Sequence, residues 1–274
     1  MIADLREILA IADAGNFAVP AFNVSNMETV VGVMQAAQET RAPVIFQMYT
    51  RLFDHPEAPF VARAVHEAMS ELKTPAAFHL DHGAGPVQVQ RALRLGATGI
   101  MLDASVWPLE ENISRTAAAV AVCHACGVPV EGELGHVSGG QDEKMGDFTD
   151  AVEAEEFVRR AGVAALAVMV GTAHGKYLKA PVLDIRRIRE IRARTGVPIV
   201  LHGGSGVPDD QLRMAIDAGV RKVNFATDLN CAFLSGVREM GEEILPVDRY
   251  MKLPTQRVRE FAVDRIIRLG AGHR

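Results

Sequence analysis

At 274 residues, 49% hydrophobic and 23% charged, the chain has the composition of a folded globular protein, neither disordered nor fibrous, and the length of one (β/α)8 barrel. Its net charge of −5 leaves no basic excess to neutralise phosphates, which argues against a nucleic-acid partner. No apolar run approaches the roughly 18 residues needed to span a bilayer, and the first residues, MIADLREILAIADAG, carry acids and lack the basic start of a signal peptide. No membrane association and a cytoplasmic location are therefore expected.

In chain order, an opening helix is expected over Ala3–Gly15, followed by a strand at 17–24 (FAVPAFNV), a helix at Met27–Arg41 and a strand at 43–48 (PVIFQM). Strand 76–81 (AAFHLD), helix Gly85–Gly96, strand 99–105 (GIMLDAS) and helix Leu109–Gly127 come next. The second half supplies strands 129–134 (PVEGEL), 165–170 (ALAVMV), 198–202 (PIVLH) and 222–226 (KVNFA), helix Leu183–Gly196, and a closing helix over Thr255–Leu269. The strands are almost continuously apolar, as parallel strands covered on both faces are. Helical stretches end at Gly96, Gly127, Gly162, Gly196 and Gly219, and the phrase helix–Gly–Val/Ala–strand recurs as ACGVPV, RAGVAAL, RTGVPIV and DAGVRKV. Such units also build doubly wound open sheets, but eight of them in this length favour closure. The expected fold is α/β, a (β/α)8 TIM barrel with an additional N-terminal helix and a C-terminal helical extension, in one domain over 1–274. Cys123-His-Ala-Cys126 has a C-x-x-C spacing inside an apolar helical stretch with no second pair to complete a metal site, so these cysteines read as small buried helix residues. The arginines at 186, 187, 189, 192 and 194 alternate with apolar residues and read as a solvated helix face.

His82, His174 and His202 each stand where an apolar run ends and a glycine-rich turn begins, in HLDHGAG, VMVGTAHGKY and VLHGGSG. Active sites of α/β barrels lie at the carboxyl ends of the strands, so three imidazoles from three such ends can converge on one metal and leave a coordination position open. Other strand ends add Asp81, Asp103, Ser105, Glu131, Glu133, Asn224 and Thr227, polar groups that burial penalises unless water or ligand satisfies them. Asp81 precedes His82 directly, so the two side chains part to opposite faces unless the backbone turns there. A carboxylate beside a metal suits a general base or a partner that orients a histidine. The segments His202-Gly-Gly-Ser-Gly206 and Asn224-Phe-Ala-Thr227 follow the last two strands, where barrels often hold phosphate on backbone N–H groups and a helix N-terminus. A metal site beside a phosphate grip suggests a phosphorylated carbonyl substrate.

The ordered segments HLDHG, MLDAS, EGELG, GTAHG, LHGGSG and KVNFAT, with PAFNVSNMET and RAPVIFQ before them, resemble the class II (zinc-dependent) ketose-bisphosphate aldolases of the fructose- and tagatose-bisphosphate type, over roughly residues 1–235. The resemblance implies a TIM barrel that reversibly cleaves a phosphorylated ketose into dihydroxyacetone phosphate and an aldehyde through a metal-stabilised enediolate. It implies that His82, His174 and His202 bind a catalytic Zn²⁺ and that Asp81 handles the hydroxyl proton at the cleaved bond. Asp103 and Glu133 match positions that in some relatives hold a second divalent metal or a displaced zinc. Gly175, Gly203, Gly204, Ser205, Asn224, Phe225, Ala226 and Thr227 match the dihydroxyacetone-phosphate site, and some members use Na⁺ or K⁺ near the phosphate. A homodimer or homotetramer is implied as well.

This chain departs from the family pattern in three places. The loop after the fifth strand, HVSGGQDEKMGDF, has Asp142 where a glutamate supplies the carbon acid, with Glu143 next to it; Asp142 has the aligned position and Glu143 the matching length. Tyr49 replaces the usual small hydroxyl residue after the second strand. Lys252, with Arg249 nearby, stands where an arginine often grips the distal phosphate, and a lysine binds phosphate as a point charge. The alternative readings are a zinc-dependent barrel hydrolase, disfavoured by the phosphate loops and the acidic Gly-Gly loop, and a non-catalytic partner subunit, which is expected to have lost Asp81 or a metal histidine.

Overall fold

A computed structural model describes residues 1–137, 148–175, 177, 179–241 and 243–272. Eight parallel strands form a closed barrel in sequential order: β1 (Val19–Asn23), β2 (Val44–Tyr49), β3 (Ala76–Gly83), β4 (Gly99–Leu102), β5 (Val130–Leu134), β6 (Ala165–Val168), β7 (Ile199–Leu201) and β8 (Val220–Phe225). Closure is completed by β1, which pairs with both β2 and β8. Each expected strand is present, with shifted ends. β8 starts two residues early because Gly219, in a left-handed conformation, stops the preceding helix (Asp209–Ala218) and Val220 pairs at once with Ile199. β4 ends at Leu102, so Asp103 and Ser105 stand in the loop at its carboxyl end.

The strands alternate sharply between their two faces. Outward residues such as Phe22, Phe46, Phe78, Leu166, Leu201 and Phe225 pack under the surrounding helices. Inward residues near the amino ends are small and apolar (Val19, Ala21, Ile45, Ala77, Ala165, Val200) and meet Leu5, Ile8, Leu9 and Ala12 of the opening helix, Leu5–Gly15, which plugs the barrel floor. Further along the same inward faces come Asn23, Gln47, His79, Asp81, Glu131, Glu133, His202, Lys222 and Asn224, all buried. The near-continuous apolar reading of the strands therefore holds for the outer face and the floor, while the upper interior is charged. The floor gives the barrel its hydrophobic closure, and the polar layer above it supports the mouth.

The closing helix runs from Lys252 to Arg268, three residues longer at its start than expected, and packs on the helix Met27–Thr40. The close approach depends on Gly32, where a Cβ would come within 2.6 Å of Val258 Cγ1. Cys123 is buried as expected; Cys126 caps the helix end and is exposed, and both are free thiols. The arginine-rich helix Ile185–Thr195 is indeed a solvated face tied down by surface ion pairs to Asp184, Asp13 and Glu155.

Candidate active site

The three sequence-selected histidines converge at the carboxyl end of the barrel. Ring centroids lie 4.7 Å apart for His82–His202, 4.9 Å for His82–His174 and 5.8 Å for His174–His202. One nitrogen from each falls within 4.8 Å of the other two, and His82, Asp103 and Glu133 form a second group of the same tightness. The local backbone explains how Asp81 and His82, adjacent in sequence, both reach this mouth. Strand β3 slips register against β4 between Leu80 and Gly83, and His82 sits in the left-handed region at φ 51°. A bulge of this kind turns one extra side chain toward the rim, and a left-handed non-glycine residue is held only where its surroundings fix it.

Two of the three rings are oriented from behind. Asp103 Oδ2 lies 2.7 Å from His82 Nδ1, which leaves His82 Nε2 facing His202 Nδ1 at 3.1 Å. Glu131 Oε1 holds His202 Nε2 at 2.9 Å, and Lys222 Nζ donates to Glu131 Oε2 at 2.8 Å in the barrel interior. Carboxylate partners of this sort set the tautomer and raise the basicity of a ligating imidazole. Burial pulls the His174 pKa down to about 4 and His202 well below its ordinary value, so both rings are neutral with a lone pair to offer. Burial opposes protonation of His82 too, but Asp81, the Asp103 hydrogen bond and Glu133 outweigh it and push that ring up to about 10. Burial, with the charge of Asp103, raises Glu133 to about 8.

Asp81 is gripped by two amides: Asn23 Nδ2 donates to Oδ2 at 2.6 Å and Asn224 Nδ2 to Oδ1 at 3.2 Å. Gln47 Nε2 in turn donates to Asn23 Oδ1 at 2.6 Å. Among the described residues, His174 Nε2 and Glu133 Oε2 are buried with no hydrogen-bond partner. Two neutral imidazoles, a third ring drawn into a group of carboxylates, and orphaned buried ligand atoms form a donor set that fits a divalent cation such as Zn²⁺.

Above the histidines opens a cavity of about 400 Å³ lined by Asn23, Tyr49, Arg51, His136, Gly175 and Thr227, among others. A smaller recess beneath it adds Asp81, Gly203, Ser205, Asn224 and Ala226. Gly203 adopts φ +66°, and a Cβ there would lie 2.3 Å from the Ala173 carbonyl oxygen, so only glycine fits this crossing of the β6 and β7 loops. Tyr177 Oη fastens the crossing, accepting from Ala173 N and donating to Gly203 O, each at 2.8 Å. Ser205 Oγ accepts from Asp228 N at 3.2 Å in the first turn of the helix Thr227–Glu239, whose N-cap residue, Ala226, supplies no side-chain cap. Open N–H groups at that helix start suit an anion.

Several sequence-selected residues fall elsewhere. Gly204 N already donates to Asn224 O at 3.1 Å, and Phe225 is core, its ring tilted against Phe22 and edge-on to Phe261. Lys252 is exposed and lines a separate outer groove of about 780 Å³ between the helices Met27–Thr40 and Lys252–Arg268, together with Glu28, Asp248 and Arg259. Asp142 and Glu143 lie outside the described residues. Sequence reasoning did not select Asn23, Gln47, Arg51, His136 or Lys222. The single polar residue in PVIFQM and the opposite charges inside two apolar strands, Glu131 and Lys222, were signals available for some of them.

The sequence profile of class II fructose-bisphosphate aldolases matches residues 3–274. This chain belongs to that family. The match reaches past the motif-bearing segments and takes in the closing helix. Among solved structures, the YdjI aldolase of Escherichia coli K12 is 33% identical with a TM-score of 0.91, over 99% of this chain and 98% of that one. A candidate fructose-1,6-biphosphate aldolase of Coccidioides immitis is 29% identical with a TM-score of 0.91, over 98% of this chain and 96% of that one. The fructose-bisphosphate aldolase of Campylobacter jejuni, at 22% identity, shares the fold, with a TM-score of 0.83 over 99% of this chain and 96% of that one. The aldolase is thus a carbon–carbon lyase built on a TIM barrel. No helix among its described residues is long and apolar enough to cross a membrane.

Proposed function

We propose that this aldolase reversibly cleaves a phosphorylated ketose to dihydroxyacetone phosphate and an aldehyde, using Zn²⁺ held by His82, His174 and His202. The observation that carries this reading is the convergence of the three imidazoles beside an amide-gripped Asp81. When bound, Zn²⁺ supplies positive charge that stabilises the enediolate as it develops. Asp81 accepts the hydroxyl proton whose loss drives carbon–carbon cleavage, with Asn23 and Asn224 fixing its orientation. Gly175, Gly203, Gly204, Ser205, Asn224, Phe225, Ala226 and Thr227 frame the dihydroxyacetone-phosphate half, Gly204 and Phe225 through the framework rather than an open donor. Asp103 orients His82, Asp103 and Glu133 with His82 offer a second divalent-metal position, and Na⁺ or K⁺ accompanies the phosphate.

The unit spans 1–274, acts in the cytoplasm and assembles as a homodimer or homotetramer. A panel of ketose mono- and bisphosphates, assayed for dihydroxyacetone phosphate release, tests the reading; release from none of them contradicts it. The carbon acid is Asp142 or Glu143. Removing the true acid, as Asp142→Ala or Glu143→Ala, abolishes exchange of the carbon-bound proton of dihydroxyacetone phosphate while metal content stays unchanged. Undiminished exchange in both variants rules the loop out as the proton source.

A further inference from the structure

Arg51 is the one Lys or Arg among the described residues that line the mouth cavity. It follows β2 in a 3-10 turn, Thr50–Asp54, and forms no ion pair among the described residues; its acidic neighbour Asp54 is committed to Arg91. The guanidinium carbon lies 4.9 Å from the centroid of the Tyr49 ring, and that ring lies 5.7 Å from the ring of His82. Tyr49 therefore spaces a fixed positive charge one aromatic ring away from the histidine cluster. A planar guanidinium stacks on such a face and keeps its donors free at the edge.

The position on the barrel matters as much as the contact. With the strands in the order β1 to β8 around a closed barrel, β2, β3 and β4 stand opposite β6, β7 and β8. The phosphate-framing loops follow β6, β7 and β8. A ketose held there by its phosphate and crossing the histidine cluster points its other end toward the β2–β4 side, where Arg51 is the one Lys or Arg lining the cavity among the described residues. Asp103 places a carboxylate on the wall of the same cavity, so an anionic group at that end needs a cation to meet it. Lys252 is in the outer groove and, within one chain, does not line this cavity.

We infer that Arg51, seated on Tyr49, receives an anionic terminus, phosphate or carboxylate, on the aldehyde half of the substrate. This rests on the aldolase chemistry proposed above and narrows its substrate class. The test is condensation of dihydroxyacetone phosphate with aldehydes of matched length that end in hydroxyl, phosphate or carboxylate. The wild-type protein favours an anionic terminus, and the better of the two anions identifies the group. Arg51→Met lowers kcat/KM for that aldehyde by about ten- to a hundredfold, the usual worth of a charged hydrogen bond. It leaves the hydroxyl aldehyde and the KM for dihydroxyacetone phosphate unchanged, and Arg51→Lys restores part of the loss.

Equal losses for neutral and anionic aldehydes, or no loss for either, overturn the inference. Exchange of the carbon-bound proton of dihydroxyacetone phosphate is independent of the aldehyde and reports the underlying chemistry. Absence of both exchange and condensation overturns the proposed chemistry, and this inference with it. Exchange without a preference at the terminus overturns the inference alone.

Discussion

Asp81 accepts from two amide groups at once, and this double grip sets what its replacement does. Asn23 is held by Gln47 and cannot rotate freely to present its oxygen. An asparagine at 81 offers one carbonyl oxygen to two donors, so Asp81→Asn leaves one amide poorly paired, a loss of about 1–3 kcal/mol of stability. The fold and metal content should survive, while turnover falls by roughly 10²–10⁴-fold because the amide cannot take the proton. Circular dichroism, metal analysis and dihydroxyacetone phosphate release check the three parts, and near-wild-type turnover would reduce Asp81 to a structural partner. Asp81 and the three histidines were legible in the sequence because each carries a local signature, a polar residue at the end of an apolar run before glycine. Asn23 and Gln47 stand before no glycine, and the lone polar Gln47 in PVIFQM does not point to its partner. Their pairing depends on strand register, Asn23 opposite Gln47, which brings together residues from segments that share no motif.

Helix and strand boundaries were legible to within a few residues because caps are local. Asp150 is such a cap, though its helix was marked in the sequence only at its Gly162 end: its Oδ1 accepts from Val152 N at 2.8 Å and Glu153 N at 3.1 Å at the start of the helix Ala151–Ala161. Those backbone donors, Glu153 first and then Val152, hold its pKa below the ordinary 3.8. Removal of such a cap costs about 1 kcal/mol, so Asp150→Ala should lower the apparent melting midpoint by about 2–4 °C. A group whose folded pKa is depressed stabilises above its unfolded pKa and loses that contribution as pH falls through the folded value. The gap between Asp150→Ala and wild type should therefore be constant near neutral pH and narrow below 3.8. A gap that persists unchanged into acid would show that the carboxylate is not the capping species. The bulge at His82 was not legible in this way. Alternation along an unbroken strand sends Asp81 and His82 to opposite faces, and only the register slip against β4 brings both to the rim.

Across the whole molecule, the eightfold alternation of apolar runs and glycine-terminated helices was enough to read the barrel, since each βα unit repeats the same local pattern. The division of its interior into an apolar floor and a charged upper layer was not, because buried lysine and glutamate inside apolar strands look like errors until their partner across the barrel is known. Lys222 and Glu131 are separated by 91 residues in sequence and by 2.8 Å in space. That layer holds His202 from below as Asp103 holds His82 from the side, and the ring of His174 meets both at the mouth. The central claim is that these nitrogens hold the metal on which cleavage depends. Exhaustive chelation followed by titration with Zn²⁺, with dihydroxyacetone phosphate release and bound metal measured together, tests it most directly. Activity should vanish with the metal and return in proportion to one Zn²⁺ per chain, and His82→Ala, His174→Ala and His202→Ala should each prevent its return. Full turnover in rigorously metal-free protein, or a lysine Schiff base trapped by borohydride, would contradict the account.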